Sequence, residues 1–170
     1  MRRPGIGRDE DFTAYVAAHW RRLVRSAVLL GCSVPEAEDL AQTALERCYV
    51  RWAQVQRAEH RDAYVAQVLL NCLRQSRRRR WWNEQPTADL PEGTTPDVTD
   101  RVGELDAVRR ALGSLSAGQR DVVVLRYYVH LTEQQIAETL GIAQGTVKSR
   151  LARGLATLSA STDLAEGQLP

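Results

Sequence analysis

The chain has 170 residues, which suits one folded domain or two small ones; its 44% hydrophobic content supports a folded core, and its formal net charge of +2 is modest but unevenly distributed. Three scattered cysteines (Cys32, Cys48, Cys72) without a CxxC pair, and three equally scattered histidines, give no disulfide framework and no zinc-ligand spacing. The start, MRRPGIGRDED, is basic but has no apolar core, and no apolar run reaches membrane-spanning length, so a signal peptide and a membrane partner are not expected and the location expected is the cytoplasm.

In chain order, helical periodicity dominates. A first helix is predicted from about Asp11 to Leu30, with Phe12, Val16, His19, Leu23, Ala27 and Leu30 on one face and Gly31 ending it. A second opens at Ser33, with Glu36 completing a capping box, and runs to Trp52. Its core stripe is Ala37, Leu40, Ala41, Ala44, Leu45, Cys48 and Trp52. Asp39, Gln42, Thr43 and Glu46 line the other side as an acidic, hydrogen-bonding strip. Taken alone, such a strip is more often a solvated face than an interface.

A loop is expected over 53–61, then a third helix capped by Asp62 and reaching Arg80. Val65, Val68, Leu69, Cys72, Leu73 and Ser76 face inward, while Tyr64, Gln67, Asn71, Arg74 and Arg78 project as one line. Amides can bond base edges, a tyrosine can stack on an unpaired base, and guanidiniums hold phosphates. Five arginines within 74–80 extend that line toward Trp81 and Trp82, at least one of which is expected to pack against the domain. A basic run by itself is often only a solvated tail. Continuing a helix that already shows an aromatic and two amides, it reads as a nucleic-acid contact.

Residues 83–100, with three prolines, five acids and no base, read as a mobile linker. Beyond it come a helix near 104–113 and another capped by Ser116 with Gln119. The stretch 132–153, TEQQIAETLGIAQGTVKSRLAR, then has the parts of a helix-turn-helix. Thr132 and Gln135 form a capping box, Ile136 and Leu140 an apolar face, Ala137 a close crossing, and Gly141 a turn needing positive φ. Val147, Leu151 and Leu155 are predicted to bury one side of the second helix. Gly145, Thr146, Ser149, Ala152 and Arg153 lie opposite, with Lys148 and Arg150 on the shoulders: a slim polar surface suited to the major groove. The fold class expected is all-α: two small helical domains, 11–82 and 104–160, joined by an acidic linker over 83–103.

EAEDLAQTALERCYVRW (36–52), AYVAQVLLNCLRQSRRRRWW (63–82), LSAGQRDVVVLRYYVHLTEQQIAETLG (115–141) and GTVKSRLARGLATL (145–158), in this order around an acidic linker, resemble the bacterial RNA polymerase sigma factors of the extracytoplasmic-function type. The arginine-rich RRRRWW ending is similar to an actinobacterial, sigma-E-like subfamily. The resemblance implies that Asp39, Gln42, Thr43 and Glu46 dock on the clamp helices of the polymerase largest subunit. It implies that Tyr64, Gln67 and Asn71 read the −10 element, with Arg74, Arg77 and Arg78 on its backbone. By the same resemblance the 53–61 loop captures a flipped base, and the linker threads toward the active centre and the RNA exit path. Thr146, Lys148, Ser149, Arg150 and Arg153 are implied to read the −35 element, double-stranded there while the −10 region is melted. Partners implied are core RNA polymerase, including its β flap, promoter DNA, and an anti-sigma factor; no cofactor is implied.

The chain departs from the family pattern at several places. Tyr64 stands for a usual tryptophan and Gln67 for a usual arginine, Ala143 replaces a helix-capping serine or proline, and Gly154 replaces an alanine. Losing that cap is expected to cost about 0.5–2 kcal/mol, and the glycine roughly 1 kcal/mol of helix propensity. The competing reading is a free-standing helix-turn-helix regulator, for which neither a dimerising heptad seam nor an α/β receiver half is present. An enzyme is the weakest reading, since no nucleophile–base pair, paired carboxylates or phosphate loop appears.

Overall fold

The computed structural model describes residues 7–83 and 101–166, which form eight helices and no strand. They are α1 (Arg8–Leu29), α2 (Val34–Val50), α3 (Trp52–Arg57), α4 (Arg61–Asn83), α5 (Arg101–Gly113), α6 (Ala117–Tyr127), α7 (Glu133–Leu140) and α8 (Gln144–Glu166). The all-α expectation holds. The linker expected over 83–103 lies mostly outside the described residues; of it, Asn83 ends α4 and 101–103 belong to α5.

Local signals set the helix ends. Capping boxes at Ser33–Glu36, Ser116–Gln119 and Thr132–Gln135 satisfy otherwise orphaned N–H groups at the starts of α2, α6 and α7. Gly31 closes α1 at φ 103° and Gly141 closes α7 at φ 64°, a left-handed conformation that L side chains rarely tolerate. Several boundaries differ from expectation: α2 ends at Val50 rather than Trp52, α4 runs to Asn83 rather than Arg80, and α5 starts at Arg101 rather than near 104. α1 begins three residues earlier, at Arg8. The segment expected as a loop over 53–61 contains α3, because Trp52 and Val55, both with no exposed surface, need a helical turn to reach the core together. Asp62 is not a cap: the Tyr64 N–H donates to the His60 carbonyl at 3.1 Å, so the helix opens at His60 and Asp62 is the second residue of α4, in its first turn.

Trp52 organises the first half. It is wholly buried, edge-on to Phe12 and Tyr15 at 5.1 and 5.3 Å, and its indole N–H donates to Asp11 at 2.9 Å. Every member of the predicted α2 stripe, from Ala37 to Cys48, is buried with it. The expected α4 set is inside or half inside, and Ala66 and Leu70 are buried as well, which makes α4 a helix with two apolar sides.

In the second half α8 crosses α6 and α7. Leu155, expected on the inner face of α8, is 38% exposed; Gly154 is buried in its place. A Cβ at Gly154 would stand 3.1 Å from a Val123 methyl, so the glycine allows the close approach of α6 to α8. Its cost in helix propensity is therefore offset by packing.

The two halves touch. α4 packs on α7 and α1 on α5, and Leu125 and Val129 join Leu23, Leu30, Ala66, Leu69 and Leu70 around one narrow apolar cleft. Arg22 bridges the halves, donating to Asp62 at 3.0 Å and to the Val129 carbonyl at 2.9 Å. Arg74 donates to the Leu140 carbonyl at 3.1 Å, at the turn of the helix-turn-helix.

Candidate nucleic-acid interface

Two polar, cation-rich surfaces stand out. The first is a groove of about 780 Å³ between the end of α2 and the outer side of α4, lined by Arg47, Val50, Arg51, Tyr64, Val68, Asn71, Arg74, Gln75 and Arg78. Four arginines and no carboxylate line it. Of the predicted −10 residues, Tyr64, Asn71, Arg74 and Arg78 meet here, while Gln67 is exposed on α4 outside the lining. Arg77 is half-buried and turned toward α1, donating to the Leu30 carbonyl at 2.6 Å. It therefore closes a helix C-terminus, where a cation also suits the macrodipole. Arg47, Arg51 and Gln75 were not singled out in the sequence, because nothing local brings the end of α2 against α4.

The second surface is α8. Its helix starts at Ala143, whose carbonyl accepts from the Thr146 and Val147 N–H groups at 2.9 and 3.1 Å. Val147 and Leu151 are buried, and Lys148, Ser149, Ala152 and Arg153 are exposed on one side. Thr146 is half-buried. Lys148 lies 3.8 Å from Glu133 across the motif, an exposed pair of small energetic weight. Arg150 is half-buried and leans over Gly118, with the guanidinium about where a Cβ on that residue would need room.

Elsewhere, α2 exposes Asp39, Gln42 and Glu46, with Thr43 half-buried, and Gln42 donates to Glu46 at 3.1 Å. Both Trp81 and Trp82, expected to include a packed ring, are more than three-quarters exposed, because α4 by then extends past the end of its bundle. Cys32, Cys48 and Cys72 are free and buried, and burial pushes the Cys48 thiol up to about 12. Among the described residues no cluster has the makings of a metal site, and no helix is long and apolar enough to cross a membrane.

The described residues thus form a helical protein that carries both a helix-turn-helix and a cationic groove. Residues 105–158 match the family described as Sigma-70, region 4. The chain is 37% identical to the RNA polymerase sigma-E factor of Streptomyces coelicolor, covering 90% of this chain and 86% of that protein. It is 33% identical to the ECF RNA polymerase sigma factor SigL of Mycobacterium tuberculosis, covering 82% and 80%. The solved structure of CnrH with the cytosolic domain of CnrY aligns at TM-score 0.66 and 25% identity over 90% of this chain and 88% of that one. The sigma factor RpoE of Bartonella quintana, solved with the anti-sigma factor NepR, shares the fold at TM-score 0.68 and 23% identity, over 88% and 95%. This chain belongs to the RNA polymerase sigma factors, in their extracytoplasmic-function group.

One carboxylate sits between the two surfaces. Asp121 on α6 has an enclosed Oδ1 with no hydrogen-bond partner among the described residues. Burial raises its pKa above the ordinary 3.8, and the guanidiniums of Arg77, Arg74, Arg120 and Arg150 pull it down without cancelling that rise. A raised native pKa means that the stability contributed by its proton is complete below about 3.8 and is lost as pH climbs through the native value. Denaturant unfolding of Asp121→Asn and the parent at several acid pH values is predicted to show the variant gaining on the parent as pH rises, then levelling off. A difference that is flat with pH would contradict the assignment.

Proposed function

We propose that this protein directs core RNA polymerase to a particular set of promoters and helps to open the DNA at −10. The observation that supports it is the division of surfaces within one family member: a helix-turn-helix, a cationic groove holding Tyr64 and Asn71, and an acidic strip on α2. In this reading Thr146, Lys148, Ser149, Arg150 and Arg153 meet the −35 duplex. Tyr64, Asn71, Arg74 and Arg78 take the melted −10 strand, with Gln67 and Arg77 at its margin. Asp39, Gln42, Thr43 and Glu46 dock on the clamp helices of the polymerase, and the second half meets the β flap. The chain performs no bond-making chemistry; the polymerase supplies that. An anti-sigma factor of this protein belongs to the same proposal, as does its place in the cytoplasm.

Elements named for positions −35 and −10 lie on the order of 85 Å apart at 3.4 Å per base pair. Here α4 and α7 are in contact, and Arg74 is bonded to the helix-turn-helix turn. Both elements can be read at once only after the halves part.

Asn71→Ala or Arg74→Ala is predicted to lower promoter opening roughly ten-fold or more, about 1.4 kcal/mol, while binding to core persists. Asp39→Arg with Glu46→Arg is predicted to lose core binding first, and equal loss of both activities in both variants would contradict the division of surfaces. Spin labels on Ala18→Cys and Ala156→Cys, both exposed positions, are predicted to report one distance in the free protein and a longer one in the holoenzyme. An unchanged distance would contradict the parting of the halves.

A further inference from the structure

Along α2 the charge reverses. Glu36, Glu38, Asp39 and Glu46 occupy its length, yet its end carries Arg47 and Arg51, and both side chains turn to the α4 groove rather than to the acidic strip. A helix C-terminus favours a cation by a few tenths to about 1 kcal/mol, which accounts for a basic residue at this end of α2. It does not account for two of them facing Asn71, Arg74 and Arg78 across a shared opening.

Arg47 is held in place from the opposite wall: its guanidinium donates to the Gln75 side chain at 2.9 Å. Arg51 sits where α2 ends and α3 begins, at φ −109° and ψ 25°, and its carbonyl accepts from the Gln54 and Val55 N–H groups. The backbone of Arg51 is thus fixed by the turn, while its guanidinium has no partner among the described residues. Val50, 76% exposed, stands between the two arginines at the lip of the groove. Like charges gathered around one opening without a carboxylate repel each other, and an anionic chain laid between them relieves that repulsion. Apolar and aromatic surface within the same groove (Val50, Val68, Tyr64) suits the faces of unstacked bases.

We propose that Arg47 and Arg51 form a second wall for the melted promoter strand, holding its phosphates from the α2 side while α4 meets its bases. This rests on the sigma-factor reading and adds to it: α2 is divided along its length, with the earlier turns facing the polymerase and the last turn facing DNA. Arg47 and Arg51 act on every sequence alike, so they set affinity and salt dependence and leave base preference to Tyr64 and Asn71.

The test uses holoenzyme assembled with the full chain. The probe is a fluorescent single-stranded DNA carrying the non-template −10 region of a promoter that the parent holoenzyme transcribes. Affinity is measured from low to moderate salt. Each phosphate contact on single-stranded DNA contributes a slope of about −0.7 in log K against log salt. Arg47→Ala with Arg51→Ala is therefore predicted to flatten the slope by about 1.4, with the preference for the −10 sequence over a scrambled strand retained. Lysine at both positions is predicted to restore most of the slope, which a merely structural role for the guanidiniums would not do. Arg25→Ala, an exposed cation on α1, serves as the control for general charge loss. A slope unchanged in the double variant, while Arg74→Ala with Arg78→Ala flattens it, overturns the second wall and leaves the sigma reading intact. A parent holoenzyme that does not prefer the promoter strand to the scrambled one overturns the groove as a −10 site, and the second wall with it.

Discussion

The structure depends on one helix being used on three sides. Val65, Leu69, Cys72 and Leu73 of α4 are buried within the first half, and Ala66 and Leu70 are buried where Leu125 and Val129 of the second half arrive. The remaining side is polar, and Asn71, Arg74, Gln75 and Arg78 fall together there in one groove. Burying a leucine side chain contributes about 1.5–3 kcal/mol, and Leu69 and Leu70 are almost wholly enclosed on adjacent faces. The groove therefore sits on a rigid support, which is what precise placement of amides against bases requires.

Arginine links the two halves, and its partners are backbone carbonyls more often than acids. Arg22 reaches Val129 and Arg74 reaches Leu140 across the halves, and Arg77 reaches Leu30 within the first half. Two of these acceptors, Leu30 and Leu140, lie at helix C-termini, where unpaired carbonyls and the negative end of the dipole coincide. Arg22 is also tied to Asp62, which accepts from Tyr15 at 3.2 Å and lies 3.6 Å from His19, stacked on that tyrosine. The contact between the halves is thus anchored in the middle of the first bundle. In the proposed function it is a resting contact: the same Arg74 that holds Leu140 is also called on by the −10 strand.

What the sequence made legible was local. Three capping boxes, the glycine of the helix-turn-helix and the α2 core stripe depend on residues within one or two turns of each other, and all are present as read. The failures share a different cause. α3 forms because Trp52 and Val55 are drawn into a core built from α1 and α4, which no window around residue 53 reveals. Leu155 was assigned inward by steps of four, but such steps drift around a helix with 3.6 residues per turn. By the second step the contact had passed to Gly154, seven residues from Val147. Tyr64, Asn71, Arg74 and Arg78 were readable as a site because they share one helix. Arg47 and Arg51 were not, because their place in the groove depends on α2 packing against α4.

The account stands most directly on transcription by purified core polymerase from a bacterial host, on a library of promoter-length DNA fragments, with the protein present or omitted. It predicts transcripts that appear only with the protein and whose templates share two motifs at fixed spacing. The upstream motif should be altered by substitution of Arg153, and the downstream one by substitution of Asn71. The contradictory result is a protein that binds DNA specifically without core and gives the polymerase no new start sites from a library containing its targets.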